Sequence, residues 1–148
     1  MPIEIISTRE FNVPPRTLFA AFSNAENLAQ WWGPDGFSNE IHIFEFREGG
    51  VWDFTMRTDG APEFHNQSRF LKINRPRHIS FLHLGPIHAF TMLMDYAPTQ
   101  NGTSLTWTMQ MEDTSQNLEI KHFIEAANEQ NFDRLEQFIT SSKERNIP

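Results

Sequence analysis

Residues 90–111, FTMLMDYAPTQNGTSLTWTMQM, decide the fold. Apolar side chains occupy every second position on both sides of Asn101-Gly102, the dipeptide most typical of a tight β-hairpin turn. Alternation with a period of two is typical of a strand that buries one face. The stretch therefore predicts two antiparallel strands with a shared apolar face. That face carries Phe90, Met92, Met94, Tyr96, Leu105, Trp107, Met109 and Met111.

The preceding region, from residue 37 onward, has the same period of two. Pairs typical of turns, at Gly49-Gly50, Asp59-Gly60 and Gly85-Pro86, separate its alternating segments. A change of parity at residues 43–44 predicts a β-bulge. Together with the first stretch, this region predicts an antiparallel meander of about six strands. Trp52, Phe54 and Met56 share one face of a strand, and Ile79, Phe81 and His83 share one face of another.

Helices and a further strand flank the meander. Residues 3–13 predict a strand that Pro14-Pro15 ends, because proline donates no ladder hydrogen bond. Two short helices follow, the second capped by Ser23 or Asn24 and running to Trp32. Residues 115–142 contain no Gly or Pro and predict a helix of about 40 Å. Only this helix is long enough to cover the sheet, so residues 1–148 are predicted to form one α+β domain.

Composition excludes several classes of protein. The net charge is −7 and the twelve Lys and Arg residues are scattered, which argues against a nucleic-acid partner. No apolar run reaches the ~20 residues of a membrane span, and the first residues do not match a signal peptide. The sequence has no cysteine, which is compatible with a reducing compartment. We expect a cytoplasmic protein, monomer or homodimer, without a cofactor.

Several segments together resemble one known family. Arg9-Glu10-Phe11, the run from Leu18 to Phe22, the run from Leu28 to Pro34, and Arg47 to Trp52 are similar to segments of the activator of heat-shock protein 90 ATPase homologue family. That family belongs to the START-like superfamily. The resemblance implies the helix-grip (START-like, Bet v-like) fold, a curved sheet of about seven strands wrapped around the C-terminal helix. It also implies a cavity between the sheet and the helix, and no common catalytic set.

Strand parity and this topology predict which residues line the cavity. Methionines adapt to irregular shapes and suit an apolar pocket. The alternative is that the same side chains only fill the core. Relatives often carry Gly-Trp where this chain has Ala127-Asn128, which implies a larger or more polar cavity. The predicted ligand-binding residues are Trp32, Trp52, Phe54, Met56, Asn66, His83, Phe90, Met92, Met94, Trp107, Met109, Phe123 and Asn128.

Three hypotheses for function follow. The first is a protein that binds a small apolar or amphipathic molecule. The second is a chaperone-accessory or regulatory module that docks a protein partner, with a role in stress response. The third is an enzyme of the cyclase or hydrolase type that uses the same cavity. An enzyme would need titratable groups inside the cavity, and parity predicts instead that Asp53 and Asp95 face solvent.

No catalytic or metal-binding residue is predicted. The six histidines show no HxH or HExxH spacing, and no cysteine supports them: His42, His65, His78, His83, His88 and His122. His83 should point inward, and a buried neutral histidine needs a hydrogen-bond partner, for which we propose Asn66 or a ligand. The carboxylates of the last helix, Glu125, Glu129, Asp133 and Glu136, are interpreted as its solvated face.

Overall fold

Seven antiparallel strands form one sheet in the part of the chain that the computed structural model describes, residues 2–85 and 89–145, with side chains up to residue 142. The spatial order is β1-β7-β6-β5-β4-β3-β2, so β1 and β2 are the two edges. The strands are β1 (Ile3–Phe11), β2 (Ser38–Phe44), β3 (Val51–Arg57), β4 (Phe64–Asn74), β5 (His78–Gly85), β6 (Phe90–Pro98) and β7 (Thr103–Met111).

The helices occupy the predicted places. Helix α1 (Pro15–Ser23) begins with proline at its first position, and α2 (Ala25–Trp31) follows directly. Of the two predicted caps, Asn24 is the one used, since its Oδ1 accepts a hydrogen bond from the Asn27 backbone N at 3.0 Å. Helix α3 (Ser115–Arg145) closes the chain and ends three residues later than predicted. The predicted α+β fold class is confirmed.

The register of the strands decides which side chains reach the concave face. The bulge lies at His42, between Ile41 and Ile43, slightly before the predicted position. Across the β6–β7 pair, Met92 lies opposite Met109, so the predicted apolar faces coincide. The predicted turn at Gly85-Pro86 falls partly on Pro86, which lies outside the described part of the chain.

Helix α3 covers the sheet unevenly. Its C-terminal half buries Phe132 and Leu135 completely and packs against β1, α1 and α2. In its N-terminal half, Leu118 is 58% exposed and Phe123 is 75% exposed. The helix therefore seals one end of the concave face and leaves the other end partly uncovered.

Candidate functional site

A cavity of about 400 Å³ lies between the concave face of the sheet and α3. This volume is at the lower end of the ~300–1,000 Å³ typical of small-molecule sites. Its wall is formed by β3 to β7, by α3, and by the loop after α2. The lining residues that were predicted as ligand-binding are Trp32, Trp52, Phe54, Met56, Asn66, His83, Phe90, Met92, Trp107, Met109, Phe123 and Asn128.

Met94 is the one residue of the predicted set that lies outside this cavity. It is buried, but it lines a smaller void beneath α1 and α2 together with Phe22, Leu28 and Phe70. The prediction was wrong because parity assigns a side chain to a face of the sheet and not to a position along it. Met94 is paired with Ile79 and Trp107, one step beyond the Phe81–Met92–Met109 row that reaches the cavity.

Aromatic rings form most of the wall. The Trp32 ring lies between two other indoles, with centroids 5.1 Å from Trp52 and 5.4 Å from Trp107. Trp52 also stacks on Phe54 at 4.6 Å. Rings in edge-to-face and offset-stacked contact form rigid surfaces. This end of the cavity is therefore a preformed aromatic pocket.

The polar part of the wall consists of amides, one serine and one histidine. Two partners were predicted for His83, Asn66 or a ligand, and the first of these is wrong. His83 Nδ1 lies 3.4 Å from Ser68 Oγ, whereas Asn66 Nδ2 donates to the backbone O of its own strand neighbour Phe64 at 2.9 Å. The Asn66 amide is hydrogen-bonded within β4, so the side chain does not reach across to β5.

Sequence reasoning missed several lining residues, and two of them carry polar groups. Ser68 follows Asn66 by two positions on β4, and therefore shares its face. Asn131 follows Asn128 by three positions on α3, and helical periodicity places both on one side. The same two rules, applied systematically, find both residues.

The loop after α2 is held from two sides. Arg134 of α3 donates through Nη1 to the backbone O atoms of Trp32, Gly33 and Pro34 at 3.1, 3.0 and 3.0 Å. Asn39 of β2 donates to the same Trp32 O at 2.7 Å. Gly33 has φ +98°, and a Cβ there would lie 2.6 Å from Met56 Cε. These contacts fix the backbone of the loop that carries Trp32 into the cavity wall.

Asp53 and Asp95 both lie on the face of the sheet away from the cavity. Asp95 is exposed and bonded to His78 Nδ1 at 2.7 Å. The prediction that Asp53 faces solvent is wrong, because its side chain is only 11% exposed. The reason is local cover: His65 Nε2 lies 2.7 Å from Oδ1, and Gln67 Nε2 donates to Oδ2 at 3.0 Å.

The environment of Asp53 predicts a pH dependence of stability. Burial alone raises the pKa of this carboxyl, but the hydrogen bonds from Gln67 and His65 outweigh it and lower the pKa below its ordinary value. A carboxyl with a lowered pKa in the folded state stabilises the fold above its unfolded pKa of 3.8. That stabilisation is lost as the pH falls through the folded value.

We therefore expect Asp53→Asn to lower the free energy of unfolding by ~1 kcal/mol at neutral pH, since the pair with exposed His65 is screened by solvent. The difference from wild type should shrink as the pH falls below about 4. Urea denaturation at pH 7 and at pH 3 measures both values. Asp95→Asn is the matched control with a smaller expected change; equal losses for the two variants at pH 7 would contradict this account of Asp53.

The carboxylates of α3 are more than half exposed where they meet Arg9 of β1. The Arg9 guanidinium forms ion pairs with Glu129 at 3.0 Å and Asp133 at 2.8 Å, and it lies 3.7 Å from Glu136. Glu125 pairs instead with His122 at 3.2 Å. The acidic face is therefore partly used to hold α3 against β1.

Other kinds of site are not seen in residues 2–85 and 89–145. No three His, Asp or Glu side chains there lie close enough together to hold a metal ion; His88 lies outside these ranges. No helix in the same ranges is long and apolar enough to cross a membrane.

A curved antiparallel sheet around a long C-terminal helix, with a cavity between them, defines the helix-grip class of START-like domains. Within that class, the family model described as activator of Hsp90 ATPase homolog 1-like protein matches residues 12–140. The chain belongs to this family, and the predicted resemblance is confirmed.

Solved structures of bacterial proteins share the fold. A protein of Nitrosomonas europaea superposes with a TM-score of 0.82 at 20% identity, covering 95% of this chain and 96% of that one. A solution structure from Arthrobacter aurescens gives 0.85 at 18% identity, covering 93% and 86%. The AHSA1 protein of Silicibacter pomeroyi gives 0.81 at 20% identity, covering 95% and 99%. No curated protein matches the sequence.

Proposed function

We propose that this protein binds a small hydrophobic or amphipathic molecule in the cavity between the sheet and α3. The observation that carries the proposal is the composition of the wall. Its aromatic and methionine side chains surround a volume of about 400 Å³, and none of its described lining residues is Asp, Glu, Lys or Arg. Such a wall fits an apolar body.

The same wall argues against the enzyme hypothesis. His83 is the one titratable side chain among the described lining residues, and acid–base catalysis would need a second group positioned beside it. Asp53 and Asp95 lie on the other face of the sheet. We therefore propose binding without turnover. We also propose that the protein acts in the cytoplasm, as a monomer or a homodimer.

A protein-docking role is the second candidate, and the exposed apolar side chains of α3 favour it. Leu118 and Phe123 present their apolar surface to solvent in the less buried half of the helix. Phe123 also belongs to the cavity wall. Because this exposed surface adjoins the opening, it serves the entry of a ligand equally well, and the cavity remains the stronger proposal.

The test uses Asn128→Trp. Asn128 is buried in the wall, where it donates to Ser7 Oγ at 3.3 Å. An indole at this position should fill part of the cavity, so we expect the affinity for the neutral fluorescent dye Prodan to fall at least tenfold, about 1.4 kcal/mol. Fluorescence titration measures the affinity, and urea denaturation verifies that the variant is folded.

Ala126→Trp is the matched control. Position 126 is exposed on the same helix, two residues away, so the same side chain is added outside the cavity and the affinity should not change. If wild type binds neither Prodan nor a second uncharged naphthalene, 2-naphthol, or if Asn128→Trp binds Prodan as well as wild type does, the cavity is not a binding site. If the binding results hold, native mass spectrometry of the protein from its own cells would identify the natural ligand.

A further inference from the structure

The amides of the cavity wall restrict the chemistry of the ligand. Three asparagines line the cavity, one on the sheet side and two on the helix side, and each is at most 7% exposed. Asn66 Nδ2 donates to Phe64 O, Asn131 Nδ2 donates to Trp31 O at 3.2 Å, and Asn128 Nδ2 donates to Ser7 Oγ. In all three, one N–H of the NH₂ group is bonded within the protein.

The orientation of two of these amides is fixed by chemistry. A backbone carbonyl can only accept a hydrogen bond, so the atoms that contact Phe64 O and Trp31 O must be NH₂ groups. The side-chain oxygens of Asn66 and Asn131 are then the atoms that remain for a ligand. No described residue donates a hydrogen bond to either oxygen or to Oδ1 of Asn128, and none of the three is shut off from cavity or solvent as the buried, unpaired atoms are.

The buried donors near the cavity do not offset these acceptors. The indole nitrogens of Trp52 and Trp107 lack a hydrogen-bond partner among the described residues, but each has almost no surface that a cavity molecule could touch. No Lys or Arg side chain belongs to the described wall. The wall therefore offers a ligand asparagine oxygens that no described residue donates to, and no described Lys or Arg to pair with an anion.

We infer that the ligand is a neutral aromatic molecule that carries hydroxyl or N–H donors, and that carboxylates and phosphates are excluded. The inference rests on the proposed function of the cavity. An O–H or N–H donor would satisfy an asparagine oxygen, whereas an anion would be desolvated beside acceptors with no partner. Acceptor oxygens on both walls, Asn66 Oδ1 on β4 and Asn131 Oδ1 on α3, suit a molecule with donor groups at two edges of an apolar body.

The experiment compares three probes with one naphthalene body. At neutral pH, 2-naphthol is uncharged and donates, 2-methoxynaphthalene cannot donate, and 2-naphthoate is an anion. We expect wild type to bind 2-naphthol at least tenfold more tightly than 2-naphthoate, by calorimetry or by displacement of Prodan. In Asn66→Leu or Asn131→Leu, the ratio of the naphthol to the methoxynaphthalene affinity should fall at least fivefold. Comparing ratios cancels the difference in hydrophobicity between the two probes.

Gln67→Leu is the matched control, because Gln67 is the next residue on β4 and its side chain lies on the opposite face, bonded to Asp53. In this variant, the ratio of the naphthol to the methoxynaphthalene affinity should equal that of wild type. Tightest binding of 2-naphthoate, or an unchanged ratio in both asparagine variants, would overturn the inference while leaving the proposed function intact. If neither Prodan nor any naphthalene probe binds, the proposed function fails first.

Discussion

Phe132→Ala is expected to lower the free energy of unfolding by about 3–5 kcal/mol, the usual range for removing a buried aromatic ring. Phe132 has no exposed surface. Its ring makes edge contacts with Phe11 at 6.0 Å and with Trp107 at 4.7 Å. It therefore joins α3 to β1 and β7, and the space it leaves is enclosed by rigid rings that cannot collapse into it.

Urea denaturation followed by circular dichroism measures this loss. Phe123→Ala is the matched control on the same helix, since Phe123 is 75% exposed and its removal should change stability by at most ~0.5 kcal/mol. Leu135→Ala, at another fully buried position, should cost ~2–5 kcal/mol. A loss below about 1 kcal/mol for Phe132→Ala would mean that α3 does not pack on the sheet as described.

Arg134→Met is expected to lower the free energy of unfolding by about 2–3 kcal/mol, because hydrogen bonds to a charged group are worth more than neutral ones. Its Nη1 serves three carbonyl oxygens beyond the C-terminal end of α2, a helix whose own last turn has no basic residue. A cation at a helix C-terminus is also favoured by the helix dipole. Burial lowers the pKa of Arg134, but an arginine remains charged.

Arg134→Lys separates charge from geometry. Lysine keeps the charge, but its single ammonium group does not reproduce the planar fork of arginine, so it should recover less than half of the loss. Arg47→Met is the control, since Arg47 is 67% exposed and its ion pair with Glu45 is long at 3.7 Å. Its free energy of unfolding should change by no more than ~0.5 kcal/mol. If Arg134→Lys were as stable as wild type, charge alone would account for the contact.

The sequence predicted local structure and the faces of each element well. Alternation of side chains places Trp107 and Met109 on the inner face whatever the neighbouring strands are, because successive side chains of a strand point to opposite sides. The proline pair at residues 14–15 stops a strand for reasons of backbone conformation alone. Asn101-Gly102 lies in the turn between β6 and β7 as predicted, although neither residue has the positive φ of a two-residue hairpin turn. These are short-range rules, and they were sufficient to determine the order of strands and helices.

The tertiary structure decided what each face meets. Parity placed Met94 and Met92 on the same face, but only the position of α1 and α2 shows that Met94 lies over a different void. Parity also placed Asp53 on the outer face, but burial there depends on His65 and Gln67 of the next strand. A side chain's direction is a local property, whereas its exposure depends on neighbours distant in the chain.

The contacts that shape the cavity are of this second kind. Arg134 reaches Trp32, and Asn128 reaches Ser7, across about a hundred residues of chain or more, and no spacing rule links such pairs. The sequence by itself therefore determined the α+β elements, the inner face and most of the residues in the cavity wall. Only the tertiary structure decided which part of α3 is buried, which amide atoms remain for a ligand, and how the loop after α2 is held, because all three depend on long-range packing.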